Sequence, residues 1–180
     1  MRPILLRELI HTRSKVLAGA VAGLVAGLVF GMIMQMTNAP ALDGTQMSMM
    51  RLVATIVRSH SIVVGWQYHL LNSSVIGAIF GWIWVDSRAP LGQIFGGGVL
   101  YGIVWWVLGA QLLMPVLLGM PPFASVMARE TRMVAAASLI GHVLYGLVLS
   151  GVFMWLVTPR VINSLADHLI QCEPYEWPED

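Results

Sequence analysis

The chain has one cysteine, Cys172, and little charge: ten Lys and Arg with nine Asp and Glu make up 11% of its 180 residues. A single thiol excludes an internal disulfide and permits a reducing compartment. A net charge of +1, with its basic residues thinly spread, provides no clustered surface for phosphates, so no nucleic-acid partner is expected. Also missing are a Ser–His–Asp set, paired carboxylates within apolar runs, a phosphate loop and Cys–His metal spacing. An enzyme is therefore not expected.

What remains is apolar. Hydrophobic residues make up 57% of the chain and its mean hydropathy is +0.76, far from a soluble average. A spanning helix needs roughly 20 apolar residues. Four stretches without Asp, Glu, Lys or Arg reach that length, near Val16–Met36, Ile62–Val85, Ile94–Leu118 and Val134–Val157. The expected fold is an all-α integral membrane domain over residues 1–180 with four transmembrane helices. Pro115 is expected to end or kink the third helix near Met114, because it lacks the amide proton of a helix interior.

Arg2, Arg7, Arg13, Lys15, Arg88 and Arg160 fall on one side of these spans, and Arg51, Arg58, Arg129 and Arg132 on the other. That bias predicts cytoplasmic N- and C-termini in a prokaryotic inner membrane. The apolar core of the first span exceeds a signal h-region of about 7–15 residues, so the Ala39-Pro40-Ala41 site is expected to stay uncut. Residues 1–15 read as a basic interfacial segment and 158–180 as a cytoplasmic tail with its own apolar stripe, both lying along the inner surface. The acidic, proline-broken end 173–180 reads as a frayed terminus or as a docking peptide.

Small residues recur every fourth position. Gly19, Gly23, Gly27 and Gly31 place a flat strip on one face of the first helix, where another backbone can approach. Gly98, Gly102 and Ala110 repeat three of these positions in the third span. In the second and fourth spans, His69, Ser73 and Gly77 match His142, Gly146 and Ser150, each triplet being His-x3-small-x3-small on one face. The pattern predicts two tandem helical hairpins, 16–85 and 94–157, related by a pseudo-twofold axis along the membrane normal.

Gly65-Trp66 followed by His69, Tyr101-Gly102 through Met114-Pro115 and Gly119, and Ser138-Leu139-Ile140-Gly141-His142 followed by Tyr145-Gly146 carry a resemblance. They resemble an uncharacterised family of small four-helix prokaryotic membrane proteins. The resemblance implies architecture and membrane location and brings no activity with it.

His69 and His142 are the two residues inside the spans that can ionise near neutral pH, each about 11 Å from the outer end at 1.5 Å per residue. Related by twofold symmetry, they could bind a metal, ligate a haem or relay protons. Neutral imidazoles acting as interhelical glue through Gln67, Asn72, Ser73, Ser138 or a carbonyl are the competing reading. Met32, Met34, Met36, Met47, Met49, Met50, Met114, Met120, Met127 and Met133 crowd the outer end. Met47, Met49 and Met50 are candidate Cu(I) ligands, against a role as adaptable filler. Arg51, Arg58, Arg129, Glu130 and Arg132 read as headgroup anchors or a basic lip. The leading expectation is a non-enzymatic module, self-associating as a homo-oligomer or serving as an accessory subunit among other membrane-protein subunits in the lipid bilayer. A small transporter or copper-handling protein comes second and a haem-bearing redox subunit third.

Overall fold

Two adjacent stripes on one long helix organise the molecule. The computed structural model describes the backbone of residues 3–41, 44–84 and 90–171 and the side chains of 15–41, 44–84 and 90–158. Arg2, Val85, Arg88, Cys172 and the acidic end lie outside the described residues. Helix α1 (Pro3–Met36) buries Gly19, Gly23, Gly27 and Gly31 along one stripe and Ala18, Ala22, Ala26 and Phe30 along the next. The first stripe receives helix α3 (Ile62–Ile83): an added Cβ at Gly19 would collide with the Gly77 carbonyl, and one at Gly23 with that of Ser73. Phe30, at the end of the second stripe, meets helix α7 (Arg132–Gln171) at Gly141, where a Cβ would strike its ring.

Helix α4 (Leu91–Trp105) packs on α7 in the same way, with Gly98 against Gly146 and Ser150 and Gly102 against the His142 carbonyl. The order in space is therefore α3, α1, α7, α4. Tyr145 on α7 crosses to α3, its hydroxyl donating to the Ser73 carbonyl at 2.8 Å. Large apolar side chains such as Leu17, Leu71, Leu100, Ile140 and Trp155 point outward, each more than 60% exposed.

Three helical stretches, Lys15–Met36, Leu91–Leu117 and Arg129–Thr158, are long and apolar enough to cross a membrane. The remaining expected span, the second, forms α3, which is 22 residues long and uncharged. Gln67, His69, Asn72, Ser73 and Ser74 keep its mean hydropathy below that of the other three.

The flanking segments differ from expectation. Residues 3–14 continue α1, and 158–171 continue α7, so the basic segment and the first part of the tail prolong long helices instead of forming separate ones. No glycine or proline separates Pro3 from Gly19, so nothing breaks the helix there. Pro115 does not end its helix at Met114 either. The chain widens into a π-helix over Trp106–Leu113, passes through α5 (Met114–Leu117), and ends at Gly119 with φ +77°. Widening accommodates a proline that offers no amide to the Gln111 carbonyl four residues back. That carbonyl accepts the Phe123 amide instead, at 2.7 Å.

One end of the bundle is capped by the segments after α1 and α5. Strands β1 (Asn38–Pro40) and β2 (Gln46–Ser48) pair antiparallel with Ala39 opposite Met47. Helix α2 (Met49–Ile56) follows, with the Ser48 hydroxyl accepting the Arg51 amide at 3.3 Å. Its apolar face, Met49, Met50, Val53 and Ala54, packs onto the bundle, and Gly65 admits the Met50 carbonyl. Helix α6 (Ala124–Met127) and a 3-10 turn at Arg129–Thr131 complete the cap.

Candidate functional site

Phe30 brings the two histidines of the spans together. Its ring lies edge-on to both imidazoles, with centroids 5.6 Å from His69 and 4.6 Å from His142. His69 is seated over Gly31 beside Trp66, where any larger residue would collide with the indole. His142 follows Gly141, whose missing side chain leaves room for Phe30.

Each ring is anchored by one nitrogen. His69 Nε2 lies 2.9 Å from the Gly27 carbonyl across the helix interface, and His142 Nδ1 lies 2.8 Å from the Ser138 carbonyl one turn back. A carbonyl only accepts, so these nitrogens carry the proton, and in the neutral rings His69 Nδ1 and His142 Nε2 hold lone pairs. His69 thus serves as interhelical glue through one edge, while His142 is fixed within its own helix. Neither second nitrogen, nor the Asn72 amide, has a hydrogen-bond partner among the described residues. The Ser138 hydroxyl is also buried without one.

These groups border a chamber of about 290 Å³ beneath the cap, between α3 and the π-helical segment. Tyr68, His69 and Asn72 line one side, Trp105, Gly109 and Ala110 another, and Ser138 with His142 a third. Among the described residues no Asp, Glu, Lys or Arg side chain lines it. Its inner limit is a rung between helices, where the Tyr101 hydroxyl donates to the Ile76 carbonyl at 2.6 Å. A second, apolar cavity of about 190 Å³ lies closer to the cap and shares Met49, Ala110, Met114 and Ser138 with the first as a common wall. Gln111, 1% exposed, borders it and accepts the Ser125 hydroxyl at 2.6 Å.

The methionines are distributed differently from a surface copper cluster. Met49 and Met50 are 7% and 0% exposed and belong to the core, while Met47 is half-buried in β2. They sit there because α2 presses its apolar face down onto α3, so replacing the three together would empty packed volume as well as remove thioethers. Met34, Met49 and Met114 instead line the histidine chamber. Arg51, Arg58, Arg129, Glu130 and Arg132 are exposed at the capped end. Arg132 binds the Val126 and Met127 carbonyls at 3.2 and 3.5 Å, fastening α6 rather than standing free. Among the described residues no three His, Cys, Asp or Glu side chains come together.

Of the residues singled out from sequence, His69 and His142 meet at one chamber. Gly19, Gly23, Gly27, Ser73 and Gly77 meet along one helix interface, and Gly98, Gly102, Gly146 and Ser150 along another. Phe30, Gln111 and the π-helix carried no signal of their own, and Tyr101 stood out only among the residues of the resemblance. The alanine stripe leading to Phe30, spaced like the glycines beside it, was the available clue.

No curated protein and no solved structure matches the chain. Residues 13–163, a stretch that holds both histidines and both glycine-lined interfaces, match a family of unknown function, DUF6789. The chain belongs to that family.

Proposed function

We propose that this chain is a non-enzymatic, four-span module of a prokaryotic cytoplasmic membrane, built as two tandem hairpins with both termini cytoplasmic, and that it works in association with itself or with other membrane-protein subunits. The observation that carries the reading is the pairing of small faces, Gly19 and Gly23 on Ser73 and Gly77 in one hairpin and Gly98 and Gly102 on Gly146 in the other. In lipid, such contacts hold helices together where the hydrophobic effect cannot. The pseudo-twofold reading pairs α1 with α4 and α3 with α7. The second hairpin then packs one turn out of register with the first, since Gly98 meets Gly146 where Gly19 meets Gly77. Both glycine faces are occupied within the chain, so a partner would use the outward apolar surface.

A small transporter is the second reading. It is favoured by the two adjoining cavities, which run from Gln111 and Ser125 under the cap to His69 and His142. Reporter insertions at 42–43 and 85–89 and a fusion at Asp180, combined with mass measurement in mild detergent, test the main reading. The expected result is 42–43 outside, with 85–89 and Asp180 inside, and a mass above that of one chain. Reporters at 42–43 and 85–89 on the same side would remove α3 as a span.

A further inference from the structure

We propose that the chamber between His69 and His142 binds a neutral, lipid-soluble aromatic molecule bearing hydroxyl donors, of the hydroquinone or phenol class, entering sideways between α3 and the π-helical segment. The inference rests on the four-span reading, which places the mouth of the chamber in lipid.

The donor requirement follows from the two carbonyls. Gly27 and Ser138 take one imidazole proton each, leaving His69 Nδ1 and His142 Nε2 as acceptors without partners among the described residues. Both rings line the chamber, and at hydrocarbon depth a polar group without a partner is costly. Two acceptors on rings that line one chamber, with Asn72 in the same lining, suit a molecule that offers two hydroxyls. A lining without charged side chains among the described residues favours a neutral occupant.

Size and lining point to a ring. An apolar cavity of about 150 Å³ holds benzene, and this one, of about 290 Å³, has room for a substituted ring. Phe30 and Trp105 supply aromatic faces, and Met34, Met49 and Met114 supply thioethers, which pack well against aromatic rings.

The entrance follows from how the helices meet. α3 and α4 touch through Tyr101–Ile76, Tyr101–Phe80 and Trp84–Gly97, whereas closer to the cap the wall is formed by Val75, Leu113 and Leu117. These are 52%, 51% and 58% exposed on the outer surface and also line the chamber. A tail attached to the ring would leave between them.

Decylhydroquinone and its dimethyl ether, which lacks both donors, are the probes, titrated against the full chain in detergent with tryptophan fluorescence and calorimetry as readouts. Saturable binding of the hydroquinone, at least tenfold tighter than that of the ether, is the expected result. Gly109→Leu should abolish it while leaving thermal stability intact, because Gly109 lines the chamber and a Cβ there meets nothing within 4 Å. Asn72→Leu, which removes a side chain without partners among the described residues, should weaken it at least threefold. Equal affinity for the ether would overturn hydroxyl recognition. Undiminished binding by a folded Gly109→Leu variant would overturn the location. Absence of hydroquinone binding would overturn the occupant, and a Cu(I) complex lost in His142→Gln would put a metal in its place. A failed four-span reading shows separately, in the reporter pattern, since the titration in detergent reads the chamber alone.

Discussion

Gly23 and Gly96 both lie inside helices, yet one added methyl should act on them in opposite directions. At Gly23 the new Cβ overlaps the Ser73 carbonyl and comes within 2.9 Å of the Gly77 Cα, all backbone with no rotamer to yield. At Gly96 it meets nothing within 4 Å. Gly23→Ala is therefore expected to destabilise by about 1–3 kcal/mol, the usual range for overpacking. Gly96→Ala should be neutral or stabilise by up to about 1 kcal/mol through helix propensity. Thermal unfolding of both variants in one detergent checks the pair; equal shifts would mean that α1 and α3 can separate without loss. The periodicity of the glycines was legible in the sequence. Which helix each one admits was not, because a glycine records only that something comes near.

At the scale of elements, the π-helix is the feature with the clearest local cause. Pro115 cannot donate to the Gln111 carbonyl, and that carbonyl holds the Phe123 amide, fixing Phe123 in a left-handed conformation at φ 61°. Pro115→Ala restores a donor and puts the two amides in competition for one acceptor. Hydrogen exchange at Phe123 should then accelerate by about tenfold, equivalent to about 1.4 kcal/mol, the worth of one hydrogen bond. Unchanged protection would assign the widening to packing rather than to proline. The main helices were readable from uninterrupted apolar runs. The cap was not, since three-residue strands carry no periodicity and α2 is only 8 residues long. Even so, Ser48 followed by an apolar Met49, Met50, Val53 face is a capped amphipathic turn in plain view. The proline was read as ending or kinking its helix because sequence shows which amide is missing, not what the freed carbonyl will find.

Across the whole molecule, three of the four lateral seams are closed by small residues or by a ring fitted to a glycine: α1 on α3, α1 on α7 and α4 on α7. The matched spacing around His69 and His142 marked the two as a pair in the sequence. Their meeting at Phe30 was not, because it depends on how the two hairpins stand against each other. In the twofold reading the partner of the α1–α7 seam is the one between α3 and α4, and its side-chain contacts gather at its inner half. Tyr101→Phe, which removes only the hydroxyl that reaches Ile76, should broaden the distance distribution between spin labels at Val75 and Leu113 in a Cys172→Ser background. An identical distribution would show that the Phe80 and Trp84 contacts suffice.

The consequence is mechanical. A closed ring of equal seams would distribute strain evenly, whereas here compliance is concentrated on one edge, with the phenol of Tyr101 as its latch. In a bilayer the lateral pressure of acyl chains would bear on that edge before any other, so chain unsaturation and membrane thickness become variables that set how far the wall stands ajar.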